Sequence, residues 1–261
     1  MLLLLSPAKK QCFDKMPAVS LQYSKPCFMM QTQALVKVLK EKTAADLQRL
    51  MSISAALATL NVDRFQHFEE APILPAVFAF QGDVYQGLSA GTLPQSALEF
   101  AQEHLMILSG LYGVLRPLDQ IQPHRLEMGS ALAIAEAKNL YQYWNGAITE
   151  IINQRLSQHQ NPVLINLASQ EYFKSVQVKR LKYALIHVEF KEYINGQYRV
   201  IALFAKRARG KMARYIISQG LDEPEAIKGF NGDGYQFSLK HSSSDHWVFI
   251  RCTDRSRKDP K

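Results

Sequence analysis

Tyr183-Ala184-Leu185-Ile186-His187-Val188-Glu189-Phe190-Lys191-Glu192-Tyr193, then Ile194-Asn195-Gly196-Gln197, then Tyr198-Arg199-Val200-Ile201-Ala202-Leu203-Phe204-Ala205, is the stretch on which the fold turns. Two apolar, β-branched runs separated by Asn-Gly form the strongest short-range hairpin signal in the chain. Working outward, Pro162–Leu167 reads as a buried strand feeding Ala168-Ser169-Gln170-Glu171, where Ser169 can cap a short helix. Downstream, Lys206–Ser218 reads as a helix, Asp222 with Pro224 starts another, and Trp247–Arg251 is a last strand. At the other end, Met1–Leu5 is a continuous apolar run stopped by Pro7, which again indicates a buried strand. Between these lie helical patterns at Gln31–Lys42, after Thr43, after Ser52 or Ser54, at Asn61–Glu70, at Pro94–Leu105 and at Ala131–Asn153. Ala76–Phe80 reads as a strand, and Met106–Leu108 fits a strand or a helix end. The elements interleave without a clean strand–helix–strand period, and there is no internal repeat or low-complexity linker. The expectation is one mixed α/β (α+β) domain over 1–261, with 253–261 a frayed polar tail.

Composition narrows the function without choosing it. The chain has 261 residues, 47% hydrophobic and 21% charged, which excludes a disordered, collagenous or membrane-bundle protein. No apolar run approaches the roughly 18 residues of a membrane span, and Met1–Leu5 is too short for a secretory signal, so a cytoplasmic protein is expected. Cys12, Cys27 and Cys252 are odd in number and lack Cys-x-x-Cys spacing, so neither a disulfide framework nor a zinc knuckle is indicated. The seven histidines show no ligand spacing, and no metal or other cofactor is expected. The net charge of +8 favours anionic partners. It is concentrated: between Lys174 and Arg214 eleven basic residues face only Glu189 and Glu192, a net of +9 that leaves −1 for the rest. Arg207, Lys211 and Arg214 share one face of the expected helix, with Tyr215 beside them. That pattern suits a surface tracking phosphates, and equally an ordinary solvated helix face.

Several shorter motifs carry polar groups. Gly82-Asp83-Val84-Tyr85-Gln86-Gly87 follows an expected strand and puts Asp83 at a cleft edge or in a plain turn. Ser109-Gly110-Leu111-Tyr112-Gly113 offers two glycines whose N–H groups can approach a phosphate, although Arg116-Pro117 soon interrupts any second helix. Arg116, Asp119, Arg125 and Glu127 cluster around Pro117 and Pro123, as an ion-pair network or a site lining. Asn166, Ser169 and Glu171 stand where a strand enters a helix N-terminus, a place that serves anions and simple capping alike. Gly229–Gly234 is glycine-rich but matches no phosphate-loop or dinucleotide fingerprint.

Taken in order, Ser6-Pro7-Ala8-Lys9, Gly82-Asp83-Val84-Tyr85 with Gly87-Leu88, Ser109–Gly113, Leu115-Arg116-Pro117-Leu118-Asp119, Arg125-Leu126-Glu127-Met128-Gly129, Asn166-Leu167-Ala168-Ser169 with Glu171-Tyr172, and Lys206 with Ala208-Arg209-Gly210 and Met212–Tyr215 run nearly the length of the chain. On these stretches the sequence resembles the YaaA peroxide-stress-resistance family of bacterial cytosolic proteins. Lys10 stands where that family usually has Thr, and His124 where Tyr is common, which adds charge and a pH-responsive group to those loops. The resemblance implies a single domain of unusual topology with a positively charged cleft, DNA binding with a helix-hairpin-helix near Gly110–Gly113, and a role in limiting iron-driven damage to DNA.

Two functions follow as expectations. In the first, Lys9, Arg116, Arg125, Lys206, Arg209, Lys211 and Arg214 contact DNA phosphates, the N–H groups of Gly110 and Gly113 add a hairpin contact, and little sequence preference results. In the second, the same cleft is an enzyme acting on nucleic acid or a nucleotide-like substrate. Asp83 and Glu171 are then acid, base or metal-positioning groups, and Tyr85, Asp119, Glu127, Asn166 and Ser169 are its polar lining. Direct iron binding lacks any supporting ligand spacing.

Overall fold

A computed structural model describes residues 1–14 and 21–252. The strands are β1 (Leu2–Leu5), β2 (Lys10–Gln11), β3 (Leu74–Pro75), β4 (Phe80–Gln81), β5 (Leu105–Ser109), β6 (Gly113–Leu115), β7 (Gln120–Ile121), β8 (Val163–Asn166), β9 (Ala184–Ile194), β10 (Gln197–Arg199), β11 (Gln236–Phe237) and β12 (His246–Cys252). The α-helices are α1 (Met29–Lys40), α2 (Ala44–Met51), α3 (Ala55–Gln66), α4 (Ala76–Ala79), α5 (Asp83–Leu88), α6 (Gln95–His104), α7 (Leu140–Trp144), α8 (Ala147–Leu156), α9 (Gln170–Phe173) and α10 (Ala202–Gln219). One eight-stranded sheet runs β11-β12-β9-β8-β1-β5-β6, with β10 added to β9. Its five inner strands, β12, β9, β8, β1 and β5, are parallel. The outer strands β11, β6 and β10 are antiparallel. The two-residue pairs β2–β4 and β3–β7 pin loops beside this sheet.

Both faces of the sheet are covered, which is why β1 is four leucines, every one fully buried. Along β9 successive side chains alternate. Phe190 meets the rings of Phe230 and Tyr235, and Phe230 in turn meets Tyr215 of α10. His187 points the other way, onto Phe173 of α9. The expected hairpin is present, turning at Asn195 (φ 50°) and Gly196 (φ 82°). Its second arm is shorter than expected: β10 stops at Arg199 and α10 begins at Ala202. The apolar run Ile201–Ala205 fits a buried strand or a helix equally by periodicity, and here it forms the first turn of the helix.

The geometry of β9 matters for the site. Asn166, the last residue of β8, pairs with His187, whereas β10 pairs with β9 only from Glu192 onward, on the same edge. The hairpin therefore overhangs the end of β8 by five residues, about 16 Å. From there α10 runs back along β9 and β1, about 27 Å for its 18 residues, crossing α5 closely. The crossing depends on two glycines. A Cβ on Gly210 would stand 1.8 Å from the carbonyl oxygen of Val84, and one on Gly87 would stand 2.3 Å from that of Arg207.

Other expectations need correction. Ala76–Phe80 is a helical turn followed by β4, not a continuous strand. Ala131–Asn153 is not one helix: it contains α7 and the start of α8, broken by a turn at Asn145 (φ 24°) and Gly146 (φ 83°). Between Ser52 and Glu70 there is one α-helix, capped by Ser54, with a 3₁₀ turn at Phe68–Glu70. Thr43 does cap α2, in a reciprocal box with Asp46. The tail 253–261 lies outside the described residues. Among the described residues, no helix is long and apolar enough to cross a membrane.

Candidate functional site

The order of the parallel strands reverses between β1 and β8. From β1 the chain proceeds to β5 on one side, and from β8 it proceeds to β9 on the other. The crevice at the carboxyl ends of two such strands is where open α/β sheets bind ligands. In this chain the crevice is closed by serines that follow each strand. The Ser169 backbone N–H donates to Ser6 Oγ at 2.8 Å, and the Ser6 hydroxyl donates to Ser169 Oγ at 3.2 Å. The Leu167 N–H donates to the Leu4 carbonyl at 3.0 Å, extending the ladder to the rim. Tyr85, from α5, donates its hydroxyl to the Ser6 carbonyl at 3.0 Å, and burial raises its pKa well above that of a free phenol. Asn166 is fixed at both ends of its amide. Its Oδ1 accepts from the Ala168 N–H at 2.9 Å, and its Nδ2 donates to His187 Nδ1 at 3.0 Å, which puts the imidazole proton on Nε2.

Charge enters on two loops. Arg125 donates through Nε (3.0 Å) and Nη2 (2.9 Å) to one oxygen of Glu127, and Lys9 Nζ lies 3.4 Å from the same oxygen. The other oxygen, Oε2, is buried and has no hydrogen-bond partner among the described residues. Arg125 and Glu127 are 16% and 12% exposed, whereas Lys9 is 67% exposed. This cluster is therefore a buried ion pair with one lysine offered to solvent. Lys9, Gln11, Ser109, Arg125, Glu127 and Tyr172 border a cavity of about 20 Å³, room for a water and not for a base. Glu171 stands alongside: its Oε1 accepts from the Gly129 N–H at 3.2 Å, and its carbonyl accepts from the Tyr141 hydroxyl at 2.9 Å. Asp83 opens α5 directly after Gly82 (φ 125°), beside Ala8.

Of the expected site residues, the structure thus brings Lys9, Tyr85, Arg125, Glu127, Asn166, Ser169 and Glu171 around one strand-end cleft. The remaining residues are placed elsewhere or held in structural contacts. Gly110 and Gly113 do not join two helices: Gly110 begins the turn between antiparallel strands β5 and β6, Gly113 opens β6, and both are buried. The Gly110 carbonyl accepts from Trp144 Nε1 at 3.1 Å, and a Cβ on Gly113 would lie 2.8 Å from that indole ring. These glycines serve close packing, so the hairpin contact to phosphate is withdrawn. The buried run of β5 decides the matter, because its five residues are all enclosed in the sheet.

Arg116 and Asp119 line a separate cavity of about 210 Å³. Arg214 donates to the carbonyls of Leu88 (3.0 Å) and Ser89 (2.9 Å), closing the carboxyl end of α5. Lys211 is ion-paired to Asp233. Arg209 is largely buried, its Nε unpartnered among the described residues; burial lowers its pKa while Glu189 nearby raises it. Lys206 and Arg207 are the exposed cations of α10. His124 is also settled: buried against Phe80 and Tyr112, it donates Nδ1–H to the Gln122 carbonyl at 2.8 Å. Burial lowers its pKa to about 4, so it stays neutral at physiological pH instead of sensing it.

Ser6, Tyr172 and His187 belong to the cleft yet were not singled out as site residues. The repeated pattern of buried strand followed by serine, Leu2–Ser6 and Leu164–Ser169, is the signal that could have found the first. Histidines and a carboxylate do converge at the opposite end of the sheet, where His104, His159 and Asp222 lie with their ligand atoms within 4.8 Å of one another. There the Met1 amine is ion-paired to Asp222 and takes the place a cation would fill.

Comparison with known proteins fits this arrangement. A family model described as peroxide stress protein YaaA matches residues 1–241. A UPF0246 protein of Caulobacter vibrioides is 52% identical over 253 residues, covering 96% of this chain and 99% of the relative. A UPF0246 protein of Bordetella petrii is 49% identical over 255 residues, with 96% and 99% covered. With motif residues from β1, α5, the Arg125 loop and β8 meeting in one cleft, and a match running almost end to end, the chain belongs to the YaaA peroxide stress protein family.

Proposed function

We propose that this protein acts in peroxide stress by binding the phosphate backbone of DNA across the strand-end cleft. The observation that carries the reading is Lys9, held out on the loop leaving β1 and two-thirds exposed above the buried Arg125–Glu127 pair. Lys206, exposed on the helix that follows the overhanging hairpin, supplies a second cation for the same backbone. The cavity beneath is too small for a base, so contacts stay on phosphates and sequence preference is slight. Neutralising phosphates releases condensed cations from DNA. Displacing ferrous ions in that way links such binding to limiting iron-driven damage, because hydroxyl radicals act where they form.

A second reading is favoured by one specific observation, the buried and unpartnered Oε2 of Glu127. A carboxylate oxygen left without a partner beside Arg125 can accept a proton, or a hydrogen bond from a hydroxyl, of a nucleotide-like substrate once the loops part. In that enzyme Glu127 is the central acid–base group, ahead of Asp83 and Glu171.

The test is fluorescence anisotropy of labelled duplex, bubble and single-stranded DNA over a salt series. The wild type is expected to give a log–log slope of about −1.8 from these two contacts, and Lys9→Ala with Lys206→Ala a slope shallower by about 0.9 per lost contact. An unchanged slope in the folded double variant overturns the backbone reading. Turnover of a nucleotide substrate that Glu127→Gln abolishes would put the enzyme in its place.

A further inference from the structure

The cavity beside Arg116 lies outside the cleft, and its chemistry differs. Its floor is apolar, formed by Met106 of β5, Val114 and Leu115 of β6 and Ile151 of α8. Its polar side carries Arg116, Arg155, Gln154, Gln158 and the Asp119 carboxylate, with Cys27 also in the lining. At about 210 Å³ it falls below the roughly 300–1,000 Å³ of pockets for drug-sized ligands, which suits a smaller molecule.

The two arginines are not equivalent. Arg116 leans on Asp119, whose carboxylate is already engaged: Oδ1 accepts from the Ser24 hydroxyl at 2.5 Å and Oδ2 from the Arg116 N–H at 2.8 Å. Arg155 uses Nη1 on Glu103, at 2.9 Å, and that carboxylate is 58% exposed and therefore screened. Arg155 Nη2 is buried and has no hydrogen-bond partner among the described residues. A charged donor left unsatisfied away from water is costly, and Arg155 as a residue lines the cavity, where an acceptor would meet its guanidinium beside that of Arg116.

We propose that this cavity is a binding site for a small organic carboxylate. The carboxylate would accept from the Arg155 and Arg116 guanidinium groups, with its hydrocarbon body on the Met106–Ile151 floor. An inorganic anion meets the arginines but leaves that floor uncovered, so an organic acid is the better match. This assignment stands apart from the DNA reading, because none of its residues is needed at the cleft.

Cys27 provides a local readout in the native chain. Its thiol donates weakly to the Val114 carbonyl at 3.8 Å, and burial raises its pKa to about 11. With so little thiolate present it is expected to react slowly with N-ethylmaleimide, and an occupant of the cavity should slow it further. The experiment follows alkylation of Cys27 by peptide mass spectrometry, with benzoate or inorganic phosphate added, and Cys12 as the internal control. Benzoate is expected to protect Cys27 but not Cys12, at concentrations at least tenfold below phosphate. In Arg155→Ala, protection should require at least tenfold more benzoate, and Arg155→Lys, which keeps charge but loses the fork, should fall between. Equal protection by phosphate would overturn the organic-acid assignment. Absence of protection, or protection unchanged in a folded Arg155→Ala protein, would overturn the site itself.

Discussion

The cleft and the basic segment from Lys174 to Arg214 carry charge in opposite ways. In the segment, eleven cations crowd one stretch of sequence, and the fold ties up five of them while Lys174, Lys179, Lys182, Arg199, Lys206 and Arg207 stay exposed. Arg180 pairs with Glu150, Lys191 with Glu189 and Lys211 with Asp233; Arg214 caps α5, and Arg209 is largely buried. In the cleft, Lys9, Arg125, Glu127 and Glu171 come from three distant stretches, and the fold collects them. Charge density along a chain is therefore a poor guide to charge density in space. Where a strand ends in a parallel sheet is a better guide, because the sheet alone decides which loops meet.

The largest expected effect is on the helix crossing that joins the two regions. Gly210→Ala places a methyl 1.8 Å from the Val84 carbonyl oxygen, a backbone atom with nowhere to retreat. Overpacking of that kind should cost about 3 kcal/mol. For a chain of this size that lowers Tm by about 6–12 °C, readable in a thermal melt. A melt within 1–2 °C of wild type, by the same scaling, would mean that α5 and α10 slide apart freely and that Tyr85 does not hold Ser6 through that crossing.

Next comes the buried pair. Arg125→Ala leaves the Glu127 carboxylate enclosed with only Lys9 nearby, and breaking such a pair should cost about 3 kcal/mol. Lys9→Ala removes an exposed partner and should cost less than about 1 kcal/mol. Urea unfolding of both variants separates a cleft built on Arg125 from one built on Lys9; equal costs would erase the distinction between frame and offered cation.

Some of this was legible in the residues and some was not. The buried strands at Leu2–Leu5 and Val163–Asn166, the Asn195-Gly196 hairpin and the caps at Thr43 and Ser54 follow from local patterns, and those patterns survive folding. The family motifs also converge where one strand-end crevice sits. The parallel sheet was not visible, because the connection from β1 to β5 takes roughly a hundred residues and hides the strand–helix–strand rhythm. The mistaken helix-hairpin-helix has a similar cause: Leu105–Leu108 follows a helix without a break, and only pairing with β1 shows that it is a strand. The fate of the α10 cations depended on Asp233 and on the end of α5, both far along the chain and silent in any local window.

The pH dependence probes the loop behind the cleft. His124 has a folded pKa of about 4 against an ordinary 6.5, because burial disfavours its charged form. The unfolded chain then binds the extra proton, so stability is full above pH 6.5 and declines as pH falls towards 4. The loss is about 1.4 kcal/mol per pH unit, roughly 3 kcal/mol in all. His159, also held near 4 by burial and the Met1 amine, contributes in the same window. His104 and His187, also lowered by burial, act in the same direction, so His124→Tyr should flatten the acid limb of a urea-stability profile by less than half, and an unflattened limb would place the titration elsewhere.

The smallest effects decide whether the basic segment is frame or surface. Arg214→Ala removes two charge-assisted hydrogen bonds from the end of α5 and should cost about 2 kcal/mol. Lys206→Ala, on the exposed side of the same helix, should change stability by less than about 0.5 kcal/mol. Their effects on DNA should be reversed, since Arg214 is occupied by backbone carbonyls and Lys206 is not. Lys206→Ala should make the salt slope shallower by about 0.9, and Arg214→Ala should leave it alone while the protein remains folded. If Arg214→Ala flattens the slope instead, its guanidinium leaves α5 to meet phosphate, and the division between structural and surface cations on α10 fails.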